Sequence, residues 1–385
     1  MTKWPATAVG EVLHRRSERA RIDPDREYHE VTIKLWGRGV VSRGKVRGSE
    51  VVSVRDVVRA GQLILSKIDA RNGAIGLVPP ELDGAIVSND FPSFEVRDAS
   101  RCDIGFLGWL ARSAKFVELC KAASEGSTNR VRISEERFLG QQIPLPPLAE
   151  QQAVVSRLDA LATKTREVEE HLDAVERDAQ RLVRSYIFSS DEAASGKRRM
   201  ADLVSLRQPD VVVDATTTYR FAGVYSFGRG VFPSAIKTGA EFSYERLSTV
   251  RAGDFIYPKL MAWEGALGVV PDSCDGMVVS PEFPVFAVNR EAVLPEVLDI
   301  YFRTPDVWPA LAEISGGTNA RRRRLQPSTF LSYEMPLPSM HKQIELLAIH
   351  RHVEGLKARH AAIREANAAL LPATLERIFH TEATA

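Results

Sequence analysis

Four consecutive arginines, Arg321, Arg322, Arg323 and Arg324, follow the polar stretch GGTN and form the most concentrated positive charge in the sequence. Like charges packed this closely repel one another unless a polyanion or ordered counterions neutralise them. Arginine and lysine bind phosphates, while arginine, lysine, asparagine and glutamine hydrogen-bond the edges of bases. The cluster therefore predicts a surface that binds nucleic acid.

A second basic segment, GRGVVSRGKVRG, lies near the start of the chain, where glycines between the cations allow close approach to a ligand. The candidate nucleic-acid-binding residues of the first half are Lys34, Arg38, Arg43, Lys45, Arg47, Lys67, Arg71, Asn72, Asn129, Arg130 and Arg132. Those of the second half are Arg229, Lys237, Lys259, Trp263, Asn319 and the four arginines. For a single cation the alternative is a solvated surface charge, and for Trp263 it is a place in the core.

The sequence lacks the motifs that catalysis on nucleic acids requires. It contains no GxxxxGK[ST] phosphate loop and no HExxH, no lysine has Asp or Glu two residues before it, and [DNS]PP[YFW] does not occur. His350 and His352 are two residues apart on a predicted helix and point to different sides, which disfavours zinc binding. The chain is therefore predicted to bind and position without catalysing, with no cofactor or metal of its own.

The two halves of the chain repeat one pattern. At an offset of 192 residues, Arg59-Ala60-Gly61 falls on Arg251-Ala252-Gly253, and Gln151 falls on Gln343. The same offset matches Lys67 with Lys259, Asp83-Gly84 with Asp275-Gly276, Phe91-Pro92 with Phe283-Pro284, and Pro144-Leu145-Pro146 with Pro336-Leu337-Pro338. Agreement on this scale indicates a tandem duplication.

Each copy has the same order of predicted elements. Short β-rich runs such as GQLILSKI and DFIYPKL alternate with Gly, Asn and Pro turn signals. One helical stretch follows in each copy, at 105–123 and at 295–314, then a polar loop, a Pro-rich hinge and a long helix. The predicted fold class is α+β, a tandem duplication of a β-rich domain plus a long helix.

The long helices carry apolar residues at heptad spacing, which predicts a coiled-coil seam. In the first helix the seam positions are Val155, Leu158, Ala162, Thr165, Val168 or Glu169, Leu172, Val175, Ala179, Leu182 and Tyr186. In the second they are Leu346, Ile349, Val353, Leu356, His360, Ile363, Asn367, Leu370 and Thr374. Two equivalent helices are expected to pair antiparallel, with a β-rich domain at each end. The alternative is that each helix packs only on its own domain.

The bulk composition is that of a globular protein, with 44% apolar and 26% charged residues. No run approaches the roughly 18–20 apolar residues that cross a bilayer, and the N-terminal segment lacks the apolar core of a signal peptide. The three cysteines have no CxxC spacing and fit a reducing cytoplasm as buried apolar residues. The net charge of +1 hides an uneven distribution, because basic residues outnumber acidic ones over 1–145 and the reverse holds over 146–196.

The segment IPLPPLAEQQAVVSRLDAL (143–161) closely resembles the hinge and helix of the specificity subunits of Type I restriction–modification enzymes. The loop GSTNRVRIS (126–134) and the run AGQLILSKIDARNGAIG (60–76) resemble the same family. In the second copy, Ser339 stands where the first has Pro147, and His341-Lys342 replaces Ala149-Glu150. The resemblance covers nearly the whole chain because the second copy repeats the plan.

This resemblance implies two target-recognition domains, 1–145 and 191–338, each followed by a conserved helical segment, 146–190 and 339–385. Each domain would recognise one half of a bipartite double-stranded DNA target, and the helices would fix the spacer. The implied partners are two adenine methyltransferase subunits and the restriction–translocase subunits. S-adenosylmethionine, ATP and Mg²⁺ would be bound only by these partners. The alternatives are a DNA-modifying enzyme with an unrecognised active site and a coiled-coil scaffold.

Overall fold

The computed structural model describes residues 4–125, 131–188, 196–317 and 323–379. The chain divides into two compact units, each with its own core. The first unit comprises Met1–Leu172 with Ala361–Ala385, and the second comprises Asp173–His360. Each unit therefore combines one β-rich domain with a part of both long helices.

The first unit contains twelve short strands in its described residues. They are β1 (Ala6–Ala8), β2 (Leu13–Arg16), β3 (Glu27–Ile33), β4 (Val40–Arg47), β5 (Asp56–Val57), β6 (Leu63–Leu65), β7 (Ile75–Leu77), β8 (Ile86–Val87), β9 (Ser93–Val96), β10 (Ser124–Glu125), β11 (Arg132–Ile133) and β12 (Gln142–Pro144). Two four-stranded sheets, β4-β3-β8-β5 and β2-β9-β6-β7, form its body. The N-terminal strand β1 pairs with β12 just before the hinge, which closes the domain.

The helices of the first unit are α1 (Val9–Val12), α2 (Ile104–Leu110), α3 (Ala114–Ala122), α4 (Glu135–Gly140) and the first part of α5 (Leu148–Phe188). The sequence predicted one helical stretch over 105–123, and the structure breaks it between α2 and α3. The break falls at Ser113, whose hydroxyl accepts a hydrogen bond from the Phe116 backbone N–H and caps α3. The stretch is helical as predicted, and it is divided into two helices because this local cap competes with continuing the first.

The second unit repeats these strands. They are β13 (Lys197–Arg199), β14 (Val204–Leu206), β15 (Val211–Val212), β16 (Thr218–Tyr225), β17 (Gly230–Thr238), β18 (Arg246–Thr249), β19 (Phe255–Ile256), β20 (Gly268–Val269), β21 (Val278–Val279), β22 (Val285–Val288) and β23 (Glu334–Pro336). The sheet β14-β22-β19-β20 has the order of β2-β9-β6-β7, and β13 pairs with β23 as β1 pairs with β12. The other large sheet, β15-β18-β21-β16-β17, repeats the order β5-β8-β3-β4 and adds β15 at one edge. Because the strands that the two units share keep the same order, the structure confirms the duplication.

The helices of the second unit are α6 (Met200–Leu203), α7 (Pro295–Phe302), α8 (Trp308–Ile314), α9 (Pro327–Ser332) and the first part of α10 (Met340–Phe379). Here too the predicted single stretch, 295–314, is two helices. Pro305 follows α7 and lacks the backbone N–H that a continuing helix would need. The copies thus break their helical stretch at corresponding places by different means, a serine cap and a proline.

A buried glutamine joins each hinge to its domain. The side-chain oxygen of Gln151 accepts the backbone N–H of Asp103 at 2.8 Å, and its side-chain nitrogen donates to the carbonyls of Pro146 and Arg101 at 2.8 and 2.9 Å. Gln343 makes the matching bonds to Leu294 N–H and to the Pro338 and Ala292 carbonyls, at 2.9, 3.0 and 3.2 Å. Both side chains are buried. Each amide therefore needs hydrogen-bond partners, and it finds them in three backbone groups near the start of a long helix.

Within each unit the long helices pack antiparallel, as predicted. In the first unit Leu158 of α5 shares a core with Leu375 of α10, and farther along α5 the Thr165 carbonyl accepts a hydrogen bond from the Asn367 side chain at 2.9 Å. The Asn367 amide also donates to the Glu169 carboxylate at 2.9 Å. In the second unit the His360 ring nitrogen and the Glu176 carboxylate are 2.8 Å apart.

Three predicted seam positions were wrong: Leu182, Ile363 and Leu370 are exposed. Val183, Arg364 and Leu371, each one residue farther along, face the packed side instead. Of the alternatives Val168 and Glu169, Glu169 makes the contact and Val168 is exposed. A straight α-helix of 3.6 residues per turn drifts from a strict heptad by about 20° per repeat, so the buried stripe moves to a neighbouring residue.

The state of the cysteines and the polarity of the helices match what the composition predicted. Cys102, Cys120 and Cys274 are buried and unpaired, as predicted. Burial raises the pKa of the Cys102 and Cys120 thiols to about 12. Among the helices that the structure describes, none is long and apolar enough to cross a membrane.

Replacing Gln151 with Ala is expected to lower the free energy of unfolding by about 1–3 kcal/mol, because one buried and two part-buried backbone groups lose their partner. The matched control is Gln152→Ala on the exposed side of the same helical turn, which should change it by less than about 0.5 kcal/mol. Urea unfolding followed by circular dichroism measures both. Equal effects of the two substitutions would contradict the role given to Gln151.

Candidate nucleic-acid interface

In the first unit, the tip of the β3–β4 hairpin is tied to the turn that follows β6. The backbone N–H of Trp36 donates to the carbonyl of Asn72 at 2.9 Å, and that of Gly37 donates to the carbonyl of Gly73 at 3.0 Å. These bonds bring two predicted groups together, the tip with Lys34 and Arg38 and the turn with Arg71 and Asn72.

The second unit ties its β16–β17 tip in the same way. Phe227 N–H donates to the carbonyl of Glu264 at 2.8 Å, and Gly228 N–H donates to that of Gly265 at 3.0 Å. The tip carries Arg229, which is exposed, and the turn carries Trp263. Two predicted groups are again adjacent.

The described end of each polar loop is hydrogen-bonded to the start of the same turn. In the first unit Ile133 N–H donates to the Lys67 carbonyl at 2.8 Å, and Lys67 N–H donates to the Asp90 carbonyl at 2.8 Å. In the second unit Leu325, Lys259 and Glu282 repeat the pattern at 2.8 and 2.9 Å. We call the hairpin tip, the turn and this loop end together the basic edge of each unit.

Carboxylates at matching positions hold an arginine on each basic edge. The Arg132 guanidinium lies 2.6 Å from the Asp90 carboxylate, and that of Arg324 lies 2.7 Å from the Glu282 carboxylate. All four side chains are substantially exposed, so these pairs contribute little stability and can exchange partners. Arg132 and Arg324 are 192 residues apart, and so are Asp90 and Glu282. The sequence therefore contained a signal for these pairs that the prediction did not use.

The matched lysines are held differently. The Lys67 ammonium lies 2.7 Å from the Glu135 carboxylate, whereas the Lys259 ammonium donates to the Pro281 carbonyl at 2.9 Å. Both lysines are half-buried. They therefore brace the basic edge as well as adding charge to it.

Trp263 occupies an intermediate environment. It is half-buried, its indole N–H donates to the Leu260 carbonyl at 3.1 Å, and the Arg323 guanidinium lies 5.9 Å from the centre of its ring. At the corresponding place the first unit has Arg71. The two basic edges thus share a backbone arrangement and differ in side chains.

Other candidates lie away from the basic edges. Arg43, Lys45 and Arg47 follow one another along β4, and Lys45 pairs with Glu27 at 3.6 Å. Arg47 ends the strand seven residues after Val40, which at 3.3 Å per residue is about 23 Å from the tip. Lys237 has the matching position on β17. Asn129, Arg130, Asn319, Arg321 and Arg322 lie outside the described residues.

Sequence reasoning missed two aromatic residues on the basic edges, Trp36 and Phe227. Both are exposed and have a positive φ, +60° and +63°. The sequence did contain a signal for them: an aromatic residue precedes the repeated GRG in both LWGRG and SFGRG. The prediction used the GRG and not the aromatic residue.

The chemistry of the basic edges is that of binding polar and anionic groups. Within the described ranges, no cluster of three or more His, Cys, Asp or Glu side chains is placed to hold a metal ion. Groups with strongly raised pKa lie in the cores, where burial raises the pKa of the Tyr257 phenol as it does for the cysteines.

Residues 1–177 match a family model described as the Type I restriction modification DNA specificity domain. The fold is similar to that of the HsdS subunit from Thermoanaerobacter tengcongensis, with a TM-score of 0.58 and 20% identity over 99% of this chain and 98% of that one. It is also similar, with a TM-score of 0.66 and 20% identity over 99% of both chains, to a chain from a structure describing complex assembly and conformational transition of the type I R-M system. No curated protein sequence matches the chain.

Neutralising Asp90 tests whether Arg132 belongs to a DNA-binding surface. Asp90→Asn frees the guanidinium and removes a negative charge, so affinity for a random-sequence duplex at low salt should rise about two- to fivefold. Fluorescence anisotropy measures it. The control, Glu81→Gln, makes the same change in net charge at an exposed position in the same unit. If both substitutions raise the affinity equally, Asp90 and Arg132 are not at the interface.

Proposed function

We propose that this chain, whose residues 1–177 match the family model for the Type I restriction modification DNA specificity domain, is the DNA-recognition subunit of a Type I restriction–modification system. The observation that carries the proposal is the duplication of that domain. The strands that the two units share keep the same order, and each unit presents a basic edge built by the same backbone hydrogen bonds. A protein with two such edges is suited to a target in two parts.

The two half-sites of the target differ in sequence. Where the first unit has Arg71 and Asn72 at the turn, the second has Trp263 and Glu264. Arginine and asparagine hydrogen-bond purine edges, whereas a tryptophan offers an apolar face. Because base contacts depend on such side chains and the shared backbone sets only their position, unlike edges select unlike sequences.

The long helices fix the spacer between the half-sites. Polar side chains make contacts within the packed stripe: Asn367 contacts Thr165 and Glu169, and His360 contacts Glu176. These contacts form in only one register of α5 against α10. Buried polar groups of this kind specify register at some cost in stability. Because the register is fixed and a glutamine holds each hinge, the length of the helices sets the spacing between the half-sites.

Catalysis belongs to partner subunits. Two adenine methyltransferase subunits, one for each half of the pseudo-symmetric chain, and restriction–translocase subunits bring S-adenosylmethionine, ATP and Mg²⁺. The missing phosphate-loop and methyltransferase motifs support this division. The assembly acts on DNA in the cytoplasm, for which the unpaired, buried cysteines are suited.

The two alternatives are not favoured. A stand-alone DNA-modifying enzyme would be indicated by cleavage or methylation of DNA by the purified chain supplied with Mg²⁺ and S-adenosylmethionine. A coiled-coil scaffold would be indicated by failure to shift any duplex from a random pool. The basic edges support DNA recognition over both.

Replacing Arg321, Arg322, Arg323 and Arg324 with Ala should weaken DNA binding and flatten its dependence on salt. Each lost phosphate contact lowers the slope of log K against log salt concentration by about 0.9. Anisotropy titrations over a series of salt concentrations measure the slope.

The matched control removes four cations from the two strands, at Arg43, Lys45, Arg47 and Lys237, and so makes the same change in net charge. It should flatten the slope less, because these residues lie along β4 and β17 and not at the basic edges. An unchanged slope in the four-arginine variant would remove that cluster from the interface.

A further inference from the structure

An aromatic side chain stands exposed at the hairpin tip of each unit. Trp36 is 69% exposed and Phe227 is 64% exposed, although large rings are normally buried in globular proteins. They occupy the same position in the two copies, immediately before Gly37 and Gly228. The ring type differs between the copies, but an exposed aromatic side chain is present in both.

The backbone at these residues is strained. A φ of +60° at Trp36 and +63° at Phe227 lies in the left-handed region, which costs a bulky side chain of order 1–2 kcal/mol and glycine almost nothing. Glycine at either position would relieve the strain. Most of each ring is exposed, and the ring contact that Phe227 makes with Trp308, at 6.2 Å between ring centres, buries only part of it. A strained, exposed aromatic residue in both copies therefore points to a contact outside the chain.

The tips are braced against their own units. A side chain at position 37 would meet the Arg112 backbone at 3.1 Å, and one at position 228 would meet the Arg303 carbonyl at 2.6 Å. The Arg303 guanidinium also donates to the Gly228 carbonyl at 2.6 Å. Together with the bonds to the turn, this closeness holds each ring in place before any ligand arrives, so little conformational entropy is lost on binding.

Cations surround the rings. Lys34 and Arg38 are exposed on either side of Trp36, and the Arg229 guanidinium lies 4.6 Å from the centre of the neighbouring Tyr225 ring. A protein-docking surface is typically a wider apolar patch with charge excluded from its centre. The Trp36 ring lies among cations, and the Phe227 ring lies near Arg229 with its centre 6.2 Å from that of the Trp308 ring. Rings beside cations instead fit a ligand with an anionic backbone and flat apolar faces, which is the chemistry of nucleic acid.

We propose that Trp36 and Phe227 contact bases directly, each ring stacking on or wedging between base pairs of its half-site. The inference rests on the proposed function and deepens it by naming specificity residues outside the hydrogen-bonding set. Insertion of an aromatic ring partly unstacks a base step, and steps differ in what that costs. The rings thus select for deformable sequence where the cations fix the register.

The test uses the full chain with its methyltransferase subunits and two probes, a duplex selected by the wild-type complex from a random pool and a random-sequence duplex. Trp36→Ala and Phe227→Ala should each lower affinity for the selected duplex about tenfold. Affinity for the random duplex and the salt slope should stay nearly constant, because the ring carries no charge. The control is Val52→Ala, which truncates a 96% exposed apolar side chain elsewhere in the first unit.

Trp36→Gly separates binding from folding. It relieves the left-handed strain, so the melting temperature should rise by about 2–4 °C while affinity for the selected duplex falls as in Trp36→Ala. A merely structural role would move stability and affinity in the same direction.

Three results would overturn the inference. If Trp36→Ala and Trp36→Gly keep wild-type affinity for the selected duplex, the rings do not contact bases, and the proposed function still stands. If both bind DNA normally but lose the methyltransferase subunits, the rings dock protein. If the wild-type complex selects no sequence at all, the proposed function falls and the inference falls with it.

Discussion

The buried side-chain amides of Gln151 and Gln343 are the constraint on which the rest of the structure depends. Each hydrogen-bonds three backbone groups that are buried or part-buried, and each lies where the hinge enters a long helix. A hinge held in this way cannot pivot freely, since any rotation breaks buried hydrogen bonds. The direction in which each helix leaves its domain is thereby fixed, and a basic edge becomes a fixed distance from a helix position.

A common backbone frame with variable side chains gives the duplicated chain two basic edges of different chemistry. Backbone hydrogen bonds build each basic edge, so residues 71 and 263 can change from arginine to tryptophan without disturbing it. The acidic partners at Asp90 and Glu282 are also kept, and each pairs with an arginine on the basic edge of its unit. The scaffold is therefore specified by main-chain geometry, and specificity by what projects from it.

The sequence alone predicted the features that depend on local pattern: the duplication, the Pro-rich hinges, the antiparallel helices and the buried cysteines. It did not predict features that depend on contacts between distant residues, or on the small difference between the helical repeat and the heptad. Leu182, Ile363 and Leu370 were misplaced because a helical stripe drifts from the heptad. The pairing of Arg132 with Asp90, and the left-handed backbone at Trp36, depend on residues far away in the chain.

Selection of bound duplexes from a random pool by the chain with its methyltransferase subunits tests the central claim most directly. We expect two short, unlike blocks of conserved bases, separated by a gap of constant length and unconserved sequence. A single continuous block, two blocks of the same sequence, or a gap of variable length would contradict the claim that two diverged basic edges are held at a fixed spacing by the paired helices.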